Sequence, residues 1–408
     1  MGVRGLTKLL KRYAPSSVKT VSASQFANRT IAIDASCHLN RFMYGDGGDP
    51  NRHIQGFYLL ARFCELNAIH PIFVFDGPRR LAAKQLEQAK RAQARKKVER
   101  SLRAEQKLSN RLKSLDTAVF DELALAEQMR KRTTAKIRAL ENRAKYTRPV
   151  LEHLTAEEEL MEALMGGVDN AQHRLMELQT INDAMVSSLE RRSIRITYRL
   201  RRQCKKFLDA LGYISLICED HEAEAMCAQL AWQGITSATV SDDMDTIVFG
   251  DAPILRYFFV PNRTILKIDP VVARQELGLS RESFIDLCIL CGTDFSGTIR
   301  FLGPITALGL IQKHGSIENV LQHLPKRCEP QETFDYHLAR RTFTHLPELP
   351  LLNETMPQDT ETIQGLLAQY EINPAQAEEK AQAFVFQQNP DTNGFGSNPF
   401  PTSTTHFL

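Results

Sequence analysis

Two short apolar runs, each closed by an acid, set the pattern of the chain's first quarter. Thr30-Ile31-Ala32-Ile33 leads into Asp34, and Ile72-Phe73-Val74-Phe75 leads into Asp76. Runs of this length without polar alternation predict strands buried on both faces, as in a parallel sheet, where ligands collect beyond the carboxyl ends. Near Leu255 to Val260 and Ile265 to Ile268, around Pro261-Asn262-Arg263, the pattern predicts a short β meander. Elsewhere the period changes to three and four. Leu115, Val119 and Leu123, then Leu175, Leu178, Ile181, Met185 and Leu189, predict long amphipathic helices between about residues 92 and 200. Pro149 and Gly166-Gly167 would interrupt them, and Thr155-Ala156-Glu157-Glu158 resembles a capping box. The mixture predicts an α/β fold carrying a long helical insertion.

Seven acids stand at or near the ends of apolar runs: Asp34, Asp76, Glu222, Glu224, Asp243, Asp245 and Asp294. Any one of them would serve as a helix cap or a strand-end turn. As a set they are more specific, because clustered carboxylates raise one another's pKa unless a cation neutralises them. Hard oxygen ligands in this number point to Mg²⁺ or Mn²⁺, and two ions ~3.5–4 Å apart would clamp an in-line phosphoryl displacement.

The blocks that carry these acids resemble the structure-specific 5′ nuclease family that contains flap endonuclease and exonuclease 1. They are Met1-Gly2-Val3-Arg4-Gly5-Leu6 with Ile33-Asp34-Ala35-Ser36, then Val74-Phe75-Asp76-Gly77, Glu222-Ala223-Glu224-Ala225, Asp242-Asp243-Met244-Asp245, and Leu287 to Asp294 leading into Gly303-Pro304. They frame residues 1 to about 90 and about 205 to 325. The resemblance implies a parallel-sheet PIN-like nuclease core, a helical arch and a helix-two-turn-helix element that grips the duplex. It also implies that the seven acids hold two Mg²⁺ ions, with Mn²⁺ able to substitute, and that Gly2, Arg80, Gly303 and Pro304 contact DNA. A monovalent ion is expected at the helix-two-turn-helix.

Charge distribution changes the picture more than net charge does. The 408 residues carry a formal +3, yet Arg79 to Lys113 alone hold thirteen Lys or Arg against three Glu, a local +10 that leaves −7 for the rest. Such a stripe suits phosphates, whereas a solvated helix face would interleave acids. Within it Lys84 and Arg91 are two helical turns apart and are expected on one helix face. They match the basic pair of the family's first arch helix, which implies that they steer the scissile phosphate and stabilise its developing charge. The matching segment is several tens of residues longer here than in typical flap endonucleases, and a helical hairpin or short coiled coil is the expectation for it.

Arg281 to Cys291, Gly303-Pro304 and Ile305 to His314 are expected to form the helix-two-turn-helix. Here the chain departs from the family, with Phe301 where a glycine is usual and Ile305 where a lysine is usual. Asn40 stands where relatives present a ring that stacks on a base, and the nearby His38 reads as a packed or exposed histidine. Of eight cysteines, Cys288 and Cys291 form the single C-x-x-C, placed in an apolar helix without a second ligand pair, which predicts core rather than zinc. The stretch Gln364 to Tyr370 partly echoes a sliding-clamp box, but its spacing suits a helix packed on the body. The first 33 residues hold six Lys or Arg and no acid, as a mitochondrial presequence does, although Gly2 to Leu10 match the family's mature start.

The expected organisation is 1–78 and 205–278 as halves of the nuclease core, 79–204 as arch and insertion, 279–325 as helix-two-turn-helix, and 326–408 as a helical extension with a flexible tail. The expected activity is metal-dependent hydrolysis of DNA at 5′ flaps or ends, by a nuclear or alternatively mitochondrial monomer without a membrane span. An exonuclease 1-like enzyme and an inactive DNA-binding scaffold are the competing readings. The intact set of seven acids argues against the scaffold.

Overall fold

Seven strands form one sheet: β1 (Val18–Val21), β2 (Thr30–Asp34), β3 (His70–Asp76), β4 (Ser215–Cys218), β5 (Thr239–Val240), β6 (Ile254–Arg256) and β7 (Ile265–Ile268). Their order is β1-β7-β6-β5-β2-β3-β4. The five from β6 to β4 run parallel, while β7 pairs antiparallel with both β6 and β1. The structure, a computed structural model, describes residues 2–45, 49–79, 81–117, 155, 171–352 and 356–388.

Both apolar runs form strands because neither face of the sheet meets water there. Ala32, Ile72, Val74 and Leu216 pack to one side with Ala223, Met226 and Leu230 of the helix Ala223–Trp232. On alternate positions, Phe73 and Phe75 meet Phe57 of the helix Arg52–Leu66, with ring centroids 6.0 and 5.4 Å apart. From β2 the chain adds β3 and β4 on one side, then returns to place β5 and β6 on the other. That reversal puts the carboxyl ends of β2, β3 and β5 around a topological switch point.

The strand expected through Val260 stops at Arg256. Tyr257 and Phe259 adopt left-handed backbone with φ of 60° and 57°, which takes the chain out of the ladder. The helix Leu6–Tyr13 shares a core with the helices Arg281–Cys291 and Pro304–His314, through Val3, Leu6, Leu10, Leu287, Ala307 and Leu308. The N-terminal segment therefore ties the sheet to the two-helix element. β8 (Ile299–Arg300), just before the Gly303-Pro304 turn, pairs antiparallel with β9 (Glu329–Pro330), which follows the helix Pro304–His314 in sequence.

Two compact units are distinguished. One comprises Met1–Phe42, Gly47–Leu86 and Ile196–Leu408; the other comprises Met43–Asp46 and Glu87–Arg195. In the second, the helices Gln85–Thr117 and Ala171–Ser193 pair through Ala104, Leu108, Leu112, Leu175, Leu178 and Leu189. The buried stripe passes through Asn182, and Ile181 is exposed, contrary to the expected stripe. Spacings of 175, 178, 182 and 189 follow a 3.5-residue period, which skips 181. Asn182 is buried because its Nδ2 donates to Glu105 Oε2 at 2.7 Å and to the Glu105 carbonyl at 3.3 Å. Residues 156–158 of the suggested capping box and the periodic positions Val119 and Leu123 lie outside the described residues, as do Pro149 and Gly166-Gly167.

Among the described residues no helix is long and apolar enough to cross a membrane. All eight cysteines are free, and Cys288 and Cys291 are buried in the helix Arg281–Cys291. Tyr370, the end of the clamp-box echo, is buried with its ring 5.6 Å from that of Phe207.

Candidate active site

The carboxyl ends of the parallel strands carry the acids. Asp34 closes β2 and is buried; its Oδ1 accepts the Cys37 N–H at 2.9 Å and its Oδ2 accepts the Ser241 hydroxyl at 2.8 Å. Burial and the neighbouring Asp76 charge push its carboxyl up to about 7. Asp76 closes β3, accepts the Ala223 N–H at 2.9 Å and donates its own N–H to Ser36 Oγ at 2.8 Å. Glu222 and Glu224 flank the start of the helix Ala223–Trp232, where the partial positive charge of the helix N-terminus favours acids.

Asp76, Glu222 and Glu224 each bring one oxygen within 4.8 Å of the other two. Burial first, then the charge of Asp34, holds the Glu224 carboxyl well above its ordinary range. Asp243 follows β5; its N–H donates to Ser241 Oγ and its Oδ1 accepts the Asp245 N–H, both at 3.1 Å. Asp245 is buried, and burial together with Asp243 and Asp294 raises its pKa strongly. One of its oxygens accepts the Asp294 N–H at 3.4 Å, while the other, Oδ1, is buried with no hydrogen-bond partner among the described residues. All seven acids thus gather in one neighbourhood.

Lys84 lies among them. Its Nζ donates to Glu222 Oε2 at 2.7 Å, with side chains only 12% and 6% exposed, and stands 4.8 Å from the centre of the Phe295 ring. Burial opposes the charge, but Glu224, Glu222 and Asp76 outweigh it and hold the ammonium's pKa above its usual value. Lys84 ends a 3-10 turn, Ala82–Lys84, rather than standing on the α-helix that begins at Gln85. Arg91 belongs to the second unit, where its Nε donates to Glu87 at 3.0 Å.

Gly2 approaches the acids closely. Its φ is +84°, and a Cβ there would overlap Asp243 Oδ1 and stand 2.5 Å from the Asp245 nitrogen. Three residues on, a Cβ at Gly5 would come 2.8 Å from Pro304 Cγ. One short N-terminal segment therefore touches both the acid cluster and the Gly303-Pro304 turn. Gly303 has open space around it, and Pro304 begins the helix Pro304–His314. Arg80 lies outside the described residues.

Phe301 holds backbone in the left-handed region that favours glycine. Its φ is 61°, and its side chain is 76% exposed. Ile305 is also exposed. His38 is fully buried with Nδ1 3.0 Å from the Asp34 carbonyl, and burial lowers its pKa to about 4. It is a packed histidine and presents no ring to solvent.

Sequence reasoning missed Ser36, Ser241 and Phe295. A signal existed for two of them, since Ser241 directly precedes Asp242-Asp243 and Phe295 directly follows Asp294. Arg41 was also missed; it donates to Asp242 Oδ2 at 2.8 Å and so keeps that acid occupied beside the site.

Family models for the XPG N-terminal domain and the XPG I-region match residues 1–98 and 214–294. Flap endonuclease 1 of Entamoeba histolytica is 31% identical over 363 residues, covering 85% of this chain and 76% of that protein. The chain belongs to the flap endonuclease family. Flap endonuclease 1 of Chlamydomonas reinhardtii is 29% identical, with 91% and 81% covered, and that of Zea mays is 28% identical, with 99% and 92% covered. Among solved structures, flap endonuclease-1 from Methanococcus jannaschii superposes with a TM-score of 0.55 at 17% identity, covering 95% of this chain and 98% of that one. The catalytic core of Rad2 in complex with DNA substrate gives a TM-score of 0.57 at 15% identity, with 94% and 100% covered. These likenesses establish the shared α/β fold of the flap endonuclease family with its central, mainly parallel sheet.

Proposed function

We propose that this protein is a structure-specific 5′ flap endonuclease, a nuclease that hydrolyses phosphodiester bonds of branched DNA in replication and repair. The reading is carried by the convergence of Asp34, Asp76, Glu222, Glu224, Asp243, Asp245 and Asp294 at one sheet edge in a chain of this family. Their donor set fits hard divalent cations: several carboxylates share a buried space, and Asp245 Oδ1 is left without a partner among the described residues. The seven acids would hold two Mg²⁺ ions, with Mn²⁺ as a substitute. When bound, such ions supply Lewis-acid charge at the scissile phosphate and at the attacking and leaving oxygens.

The remaining chemistry belongs to the chain's own residues. Ser241 holds Asp34 at the end of β2 through that acid's side chain and Asp243 in the loop after β5 through its backbone, which fixes their relative orientation. Lys84 and Arg91 are the proposed cations for the transferring phosphate, where a positive charge lowers the barrier more than it strengthens binding. Beside the acids, neither Cys37 nor Ser241 is set up as a nucleophile: the Cys37 pKa is raised by burial first and then by the Asp34 charge, and the Ser241 hydroxyl is bonded to Asp34. Water is the proposed attacking group. Gly2, Arg80, Gly303 and Pro304 are the proposed DNA contacts, with a monovalent ion at the Gly303-Pro304 turn. A 5′-3′ exonuclease activity at duplex ends and action in the nucleus complete the proposal.

The test is cleavage of labelled double-flap, nicked and plain duplex DNA with Mg²⁺, beside an Asp243→Asn control. Incision at the flap junction that the variant loses is the expected result. Binding of all three without a cut, in Mg²⁺ or Mn²⁺, would remove the nuclease reading.

A further inference from the structure

Lys84 and the acid cluster share one residue, Glu222. The ammonium donates to Glu222 Oε2 at 2.7 Å, while Glu222 is also one of three acids whose oxygens lie within 4.8 Å of one another. Both side chains of the pair are nearly removed from solvent, so water cannot readily take the ammonium's place. The Phe295 ring, 4.8 Å from Nζ, closes another side of the ammonium with the negative face of its π-system. The arrangement supplies a positive charge to an acid group that would otherwise repel itself.

A divalent cation drawn to Asp76, Glu222 and Glu224 would meet that charge at close range in a poorly screened space. Like charges so placed oppose each other strongly, and a carboxylate oxygen committed to an ammonium is a weaker ligand. We propose that Lys84 and a divalent ion compete for Glu222, so that ion binding releases the ammonium toward the scissile phosphate and the ion-free protein keeps it stored on the acid. This rests on the nuclease reading above and adds an order of events to it. The lysine becomes available for phosphate only once ions have taken over its acid. Its attachment at the end of the short Ala82–Lys84 turn leaves the four-carbon stem to make the exchange, without movement of a whole element.

The exchange is visible without any turnover. In the full chain labelled with ¹⁵N-lysine, a buried, paired Lys84 ammonium gives a protected resonance that Lys84→Met removes. Addition of Mg²⁺, which is diamagnetic, is expected to shift or broaden that resonance with the same midpoint as Mg²⁺ uptake followed by calorimetry. Lys84→Met is expected to bind Mg²⁺ about tenfold more tightly than the unaltered protein, and Glu222→Gln to lose the protected resonance before any ion is added. A Lys84 resonance unmoved at saturating Mg²⁺ would overturn the exchange and leave the nuclease reading intact. Failure to take up Mg²⁺ at all would overturn both.

Discussion

Gly2 and Asp243 are packed so closely that no side chain fits between them, and Gly2 holds a left-handed φ of +84° there. Gly2→Ala would therefore displace the Asp243 carboxylate as well as strain the backbone. Single-turnover incision of a double-flap substrate is expected to fall by one to two orders of magnitude, with the thermal midpoint little changed because the segment is short. Unchanged incision would mean that Asp243 tolerates displacement.

Asp243 charges its neighbours. It contributes to the raised pKa of Asp34, Glu224 and Asp245, so its carboxylate destabilises the ion-free protein. Asp243→Asn is expected to raise the melting temperature in chelator while reducing the stabilisation that Mg²⁺ gives, since one ligand charge is gone. Differential scanning fluorimetry with and without Mg²⁺ measures both effects. Incision should be lost and flap binding retained.

Phe301 pays for its backbone conformation, since a non-glycine residue at φ 61° costs about 1–2 kcal/mol. Phe301→Gly relieves that strain but adds entropy to the unfolded chain of about 0.4–1 kcal/mol. A small net gain in stability is expected, read as a higher denaturation midpoint at unchanged slope. A lower midpoint would show that the exposed ring makes stabilising contacts.

Arg340 ties two acids together. It donates to Asp286 at 2.8 and 2.9 Å and to Glu318 at 2.8 Å, and Asp286 is buried. Burial raises the Asp286 pKa despite the guanidinium, whereas hydrogen bonds from Arg340 first lower that of Glu318 to about 2. In Arg340→Ala, Asp286 rises further and Glu318 loses its support. Stability is expected to drop by about 2–3 kcal/mol near neutral pH, discounted for partial exposure of the guanidinium. Protonation relieves the uncompensated Asp286, and the Glu318 contribution of the unaltered protein is lost as pH falls from about 4.5 toward 2. The difference between the two proteins should therefore shrink through the acid range, as denaturant titrations at several pH values would record.

The parallel strands were legible because a buried parallel strand leaves an unbroken apolar run, and Asp34 and Asp76 stood out because an acid ending such a run is costly. Ser241 and Ser36 were hidden. A serine that orients a carboxylate looks like any turn serine until the strands are side by side. Hydrophobicity alone places the helical stripe at Ile181. The structure buries Asn182, whose amide finds Glu105, so a partnered polar side chain took the place that an apolar residue was expected to fill. The left-handed backbone at Phe301 was not legible, because nothing about a phenylalanine in sequence signals a positive φ.

The Asn182–Glu105 contact has a consequence for how the second unit can vary. Gln179 Nε2 donates to the Leu112 carbonyl at 3.2 Å and Gln106 Nε2 to Glu190 at 3.3 Å, so polar contacts join the two helices at three levels. A sliding of one helix along the other would leave a buried amide and acid unsatisfied. The polar side chains along the seam thus act as a ruler for the pair, setting which turn of one helix stands beside which turn of the other.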